Sequence, residues 1–316
     1  MREDKVKKLV REIEVNDLSE ALIFPRFFEI ETVNTCNASC AMCTIKSWKN
    51  KGASLMSEEL WNKFVAEIKP YARKMNRVTV ARDGEPLLDK KLESKIKDLK
   101  RIKIGYVTFA TNCSLLNQGR ACSLLDSGLD DIMFSIDGFT KQTYEKIRKG
   151  LNFEQVVENC INFIKARDAG NYKTTVRVRM VLQDENIKEL APWTGFWKPL
   201  LKNDDRVYAK PAHSWGNQLK NYADITKDIN KKDYSGELCV GPWSTMVIKV
   251  NGDVPLCPVD FNCRFNMGNF AKSTIKQIWS AEGFNRVRDK MLAGERNDLI
   301  LCKDCWLWDR STTIER

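Results

Sequence analysis

Three cysteines, Cys36, Cys40 and Cys43, fall within eight residues just after the strand-like run FFEIETVN (27–34). Three closely spaced thiolates can hold three corners of a 4Fe-4S cubane and leave one iron open to another ligand. A structural zinc site wants a closed set of four, and the next cysteine, Cys113, lies far along the chain. The loop position and the missing fourth partner favour an open iron-sulfur site over incidental core thiols.

A second set lies near the C-terminus. Cys239 is followed by twelve residues, Gly252, four residues and Cys257, and Cys302 and Cys305 come later as C-x2-C. Four thiols complete one closed cluster. Zinc is the alternative for this half, because CPVD and CKDC also suit a zinc ribbon. Of the eleven cysteines, four remain. Cys122 and Cys160 stand with apolar residues at helical spacing and read as buried core thiols.

Six strand-like runs, 27–34, 77–81, 103–111, 131–137, 175–183 and 206–212, alternate with amphipathic stretches such as SEELWNKFVAEI (57–68) and FEQVVENCINFIKA (153–166). Alternating strands and helices imply a parallel sheet with right-handed crossovers. Six units between 27 and 215 are too few for a closed eightfold barrel and suit an α/β fold, a partial (β/α)6 TIM-like barrel. Residues 1–26 read as an N-terminal helical extension. Residues 216–316 read as a linker and a small cysteine-rich domain with a hairpin around Asn251-Gly252 and a helix near 274–292. On the fourth strand Asp131, Met133, Ser135 and Asp137 share the face expected to point into the barrel. On the fifth, Arg177 and Arg179 alternate with apolar residues, and a buried arginine there needs an anionic partner such as a carboxylate.

The C-x3-C-x2-C spacing at the top of a first strand resembles that of the radical S-adenosylmethionine (SAM) superfamily, and the resemblance extends across the first 215 residues. Asp83-Gly84-Glu85-Pro86 is similar to the family's Gly-Gly-Glu-Pro element, with Asp83 in place of the first glycine. The resemblance implies that Gly84, Glu85 and Pro86 take the methionyl amino group of SAM. Met42 stands where the family usually has an aromatic beside adenine. Ser135 and Asp137, on the inward face, are further cofactor candidates, as are Asn112 after the third strand, Arg148 in YEKIRKG and Arg179. The C-terminal cysteines resemble the SPASM module in its shortened twitch form. This implies one auxiliary cluster on Cys239, Cys257, Cys302 and Cys305, hence two 4Fe-4S clusters in all, with SAM as co-substrate.

In that family a radical derived from SAM abstracts hydrogen from the substrate. The chain most resembles the aminocyclitol dehydrogenase and aminoglycoside epimerase types, which implies an enzyme acting on a small carbohydrate or aminocyclitol by oxidation or epimerisation. Cys113 and Cys263 are candidate catalytic thiols, because a thiol at the barrel mouth can return hydrogen to a carbon radical. Two-electron oxidation is expected if neither is essential. Peptide modification is the alternative. Only about 26 residues precede the first strand, too few for a peptide-recognition domain. His213, Trp215 and the stretch from Asp233 to Glu237 lie near the bridge between the two parts.

No apolar run approaches the ~20 residues of a membrane span, and MREDKVKKLVREIEV mixes both charge signs, unlike a secretory signal. Cytoplasmic residence is the expectation. The formal charge of +10 favours anionic partners. Its scatter makes nucleic acid an unlikely one, which demotes a zinc-stabilised nucleic-acid-binding protein to a remote alternative. A small acidic flavodoxin or ferredoxin is the expected electron donor.

Overall fold

All six expected strands form in the computed structural model, which describes residues 2–48, 55–227, 237–308 and 313–315. They are β1 (Phe27–Ile30), β2 (Arg77–Thr79), β3 (Val107–Thr111), β4 (Asp131–Ser135), β5 (Thr175–Leu182) and β6 (Arg206–Pro211), each parallel to the next. β3 begins later than the sequence suggests. Lys103 turns left-handed at φ 68° and donates its N–H to the Lys100 carbonyl, which ends the preceding helix.

Up to residue 200 the α-helices are α1 (Arg2–Glu12), α2 (Leu18–Ile23), α3 (Glu58–Ile68), α4 (Leu92–Arg101), α5 (Gln118–Leu125), α6 (Lys141–Ile147), α7 (Phe153–Ala169) and α8 (Leu190–Trp197). Ser57, Asn117, Thr140 and Asn152 start four of them by accepting the backbone N–H three residues on. Of these, α3 and α7 pack on one face of the sheet: Phe64 of α3 meets Phe28 at 5.3 Å and Phe163 of α7 meets Phe134 at 5.6 Å between ring centres. Along β5 the burial alternates, so Val176, Val178, Met180 and Leu182 join that core while Thr175, Arg177, Arg179 and Val181 face the other way.

The C-terminal segment departs from the expected hairpin. The turn is there, with Gly252 at φ 84° donating to the Lys249 carbonyl at 2.9 Å. The strand before it, β7 (Thr245–Ile248), instead extends the main sheet parallel to β1. Thr245, Met246, Val247 and Ile248 are all buried, so this edge strand is covered on both faces. After the turn, β8 (Asp253–Pro255) pairs antiparallel with β9 (Asn266–Asn269). The single helix expected near 274–292 is two, Ile275–Trp279 and Glu282–Ala293, divided at Ser280-Ala281. A short β10 (Ile314–Glu315) lies antiparallel on β6, giving the order β10-β6-β5-β4-β3-β2-β1-β7 and a barrel that does not close.

Candidate active site

The inward face of the sheet and the C-terminal loops enclose one cavity of about 1390 Å³. Cys36, Cys40 and Cys43 line it from the loop after β1. That loop is pinned to the end of α6 by two backbone bonds of 2.9 Å, Ser39 N–H to the Lys149 carbonyl and Ala41 N–H to the Ile147 carbonyl. Burial pushes the Cys36 thiol up to about 11 and the Cys43 thiol up to about 12, and each also feels the charge of Cys40. Three thiolates so placed are costly without a cation, which fits an iron-sulfur cluster.

Around this loop most of the expected cofactor residues gather. Met42, Gly84, Glu85, Asn112, Ser135, Arg148 and Arg179 all line the cavity. Gly84 is required by space: a Cβ there would stand 2.4 Å from the Val33 carbonyl oxygen. The Glu85 carboxylate accepts from Thr111 Oγ1 at 2.6 Å, the Asn112 N–H at 2.8 Å and the Leu87 N–H at 3.2 Å. Burial nevertheless raises its pKa. Pro86 opens the turn Pro86–Leu88 and does not reach the cavity wall.

Asp137 corrects the sequence reading. It is fully buried behind the wall, where it accepts from Arg148 Nε at 2.6 Å and from the Val181 N–H at 2.6 Å. It therefore positions Arg148, whose Nη1 lies 3.7 Å from Cys40 Sγ. The carboxylate expected for the β5 arginines is Asp131, which receives Arg177 Nε at 2.9 Å. Asp83 also has a role of its own: with Glu31 it pairs with the buried Lys249.

The second thiol set borders the same cavity. Cys239 and Cys305 line it, and the Cys257 thiol, raised first by burial, also feels Cys302, Cys305 and Cys239. Arg296, buried, stitches the cysteine-bearing loops together. Its Nε donates to the Cys302 carbonyl and its Nη1 to the Glu237 carbonyl, each at 3.0 Å, and its Nη2 donates to the Cys305 carbonyl. No spacing in the sequence marks this residue. Among the described residues no three His, Cys, Asp or Glu side chains group around a single metal-sized point, in either cysteine set.

His213, the only histidine, follows β6 and lines the cavity. Burial lowers its pKa to about 3, so the ring is neutral. Its Nδ1 accepts the Trp215 N–H at 2.8 Å, which puts the ring proton on Nε2, 3.5 Å from Cys305 Sγ. Trp215 Nε1 donates to the Met42 carbonyl at 3.0 Å and so ties this bridge to the first cysteine loop. Glu237 also lines the cavity, whereas Asp233 lies outside the described residues.

Neither spare thiol reaches the cavity. Cys113 is fully buried, its thiol 3.6 Å from the Thr111 carbonyl and raised by burial and by Cys160 beside it. Its backbone carries the barrel-mouth turn at φ 63°, but that turn directs the side chain back into the core. Cys263 lines a separate crevice with Glu31, Lys249 and Asp83, and burial pushes it up to about 12. Cys160 is buried as expected. Cys122 is exposed, because the next turn of α5 buries Ala121, Leu124 and Leu125 instead.

Comparison with known proteins agrees with this geometry. The family model described as Radical SAM superfamily matches residues 30–192, and the one described as SPASM, an iron-sulfur cluster-binding domain, matches residues 239–306. A probable GTP 3',8-cyclase of Methanococcus maripaludis is 28% identical over 165 residues, 52% of each chain. The chain thus spans about half the length of the curated relatives it matches. An S-adenosyl-L-methionine-dependent 2-deoxy-scyllo-inosamine dehydrogenase of Niallia circulans is 32% identical over 87 residues, 28% of this chain and 35% of that one. The crystal structure of BtrN in complex with AdoMet and 2-DOIA superposes with a TM-score of 0.59 at 20% identity, covering 89% of this chain and 92% of that one. Because the family model spans more than half of its residues, and its cysteine loop borders the large cavity that the described residues form, the chain belongs to the radical SAM superfamily and carries a SPASM domain.

Proposed function

We propose that the chain binds two 4Fe-4S clusters and SAM, removes a hydrogen atom from a small carbohydrate or aminocyclitol, and completes a two-electron oxidation. The carrying observation is the cavity lining, with Cys36, Cys40 and Cys43 in one region, Cys239 and Cys305 in another, and neither Cys113 nor Cys263 between them. When bound, the open cluster with SAM supplies the hydrogen-abstracting radical and the closed cluster supplies an electron acceptor.

The remaining work falls to side chains. Ser135 and Arg148 are assigned to the carboxylate of SAM, and the Gly84-Glu85 backbone to its amino group. The three hydrogen bonds to Glu85 keep that segment rigid. Met42, held through its carbonyl by Trp215, is assigned to the adenine. The His213 Nε2–H is assigned as a donor to Cys305, which orients that ligand. Trp48 and Trp215 line the wall and help keep water out. The dehydrogenase relative from Niallia circulans supports the substrate class. A small acidic flavodoxin or ferredoxin is assigned as donor.

The test is turnover of anaerobically reconstituted protein with SAM, reductant and a panel of aminocyclitols and sugars in deuterated water. An oxidised product without solvent deuterium is expected, with activity retained in Cys113→Ala and Cys263→Ala. A product of unchanged oxidation level that carries deuterium at carbon would replace oxidation with epimerisation.

A further inference from the structure

The cavity has two chemically different ends. The cysteine loop follows the C-terminal end of β1, whereas Arg77 is the first residue of β2 and Arg206 the first of β6. In a parallel barrel these are opposite ends. Arg206 stands in register with Arg177 of β5, and Arg179 stands one inward position further along, in register with Ser135. All four arginines line the cavity.

The guanidinium groups of Arg77 and Arg179 are incompletely matched. Asp131 is committed to Arg177, and Glu29 lies 3.5 Å from Arg82, which it shares with its attraction for Arg77. Arg77 Nε and Arg179 Nε are buried with no hydrogen-bond partner. Burial lowers the pKa of both guanidinium groups; the charge of Arg177 lowers Arg77 further, and the charges of Arg148 and Arg177 lower Arg179 further. Buried like charges of this kind persist where an anion relieves them. A carboxylate offers two oxygens to one fork, whereas a phosphoryl group carries up to two charges and three oxygens for several forks.

We propose that Arg77 and Arg177, with Arg206 beside them, form a phosphoryl-binding floor, so that the substrate of the oxidation proposed above is a phosphorylated small molecule. Resting on that reading, the floor would take the phosphoryl end while the opposite end of the molecule meets the cofactor. From Arg177 to Val181 β5 rises roughly 13 Å, enough for one sugar ring between the two ends.

Calorimetry on the reconstituted, SAM-bound protein tests this with inorganic phosphate as the probe and acetate as the carboxylate control. One phosphate per chain is expected, bound at least about tenfold more tightly than acetate. Arg77→Gln should weaken it about tenfold, and Arg77→Lys should weaken it less. Absence of phosphate binding, equal affinity in wild type and Arg77→Gln, parity with acetate, or displacement of SAM by phosphate would each overturn the proposal. SAM cleavage is measured separately in the wild type. Cleavage without phosphate binding removes the floor alone, and phosphate binding without cleavage removes the radical reading alone.

Discussion

Replacing Arg296 by Met should release the auxiliary cluster while sparing the first one. The guanidinium donates to three backbone carbonyls, those of Glu237, Cys302 and Cys305, from a site only 4% exposed. Hydrogen bonds from a charged donor are worth roughly 1.5–3 kcal/mol each, so three amount to about 5–9 kcal/mol at most. The several kcal/mol spent on burying the guanidinium offset part of this, leaving about 3 kcal/mol net. At 1.4 kcal/mol per factor of ten, the ordered arrangement of the C-terminal cysteine loops becomes about a hundredfold less favourable. Met fills similar space, so the loss reads out the donors and not a cavity. After anaerobic reconstitution, iron and sulfide should drop to about half of wild type, while reductive cleavage of SAM survives. Arg296→Lys, which keeps charge but not the fork, should fall between the two. Full iron content in Arg296→Met, with unchanged thermal stability, would refute the argument.

Four other outcomes follow from the same geometry. Replacing Cys36, Cys40 and Cys43 together by Ala should leave about half the iron and abolish SAM cleavage; retained cleavage would overturn the ligand assignment. His213→Phe removes the Nε2–H beside Cys305, so the auxiliary cluster should become harder to reduce in an EPR-monitored titration while the other cluster keeps its potential. Turnover driven by an acidic flavodoxin or ferredoxin should slow as salt rises when electron delivery limits the rate, and a salt-independent rate would count against a charged docking step. Burial, with the charge of Asp83 added, raises the Glu31 carboxyl to about 7 from its ordinary 4.5. Because folding favours its protonated form, wild-type stability relative to Glu31→Gln should decline as pH climbs from about 4.5 to about 7, and a slope of the opposite sign in urea denaturation would refute this.

Much of this architecture was legible because its signals are local. Strand starts at Phe27, Arg77, Asp131, Thr175 and Arg206 were marked by alternating or apolar runs, and the two cysteine spacings are short-range patterns. The misreadings share a different cause. β7 looked like one arm of a hairpin because Asn251-Gly252 is a genuine turn, and only tertiary pairing with β1 decides otherwise. Asp137 lay on the expected inward face, yet the strand ends at Ser135 and the chain bends its carboxylate behind the wall to Arg148. Cys113 sat at the right place in sequence, but its left-handed backbone turns the thiol toward Cys160. Arg296 and the His213 contact depend on loops meeting across the fold, and no spacing encodes such a meeting.

The pairing of β7 with β1 also bears on how the chain is made. Ile30 ends β1 and Ile248 ends β7, a separation of 218 residues in order of synthesis. At roughly 5–20 residues per second the ribosome needs about ten to forty seconds to deliver the second strand after the first. Throughout that interval one edge of β1 has no neighbour, and the cysteine loop that follows it lacks the C-terminal segment that later covers it. Nascent chains stalled before residue 245 should therefore recruit holdase chaperones and expose Cys36, Cys40 and Cys43 to alkylating reagents. Chains released beyond residue 308 should lose both behaviours together.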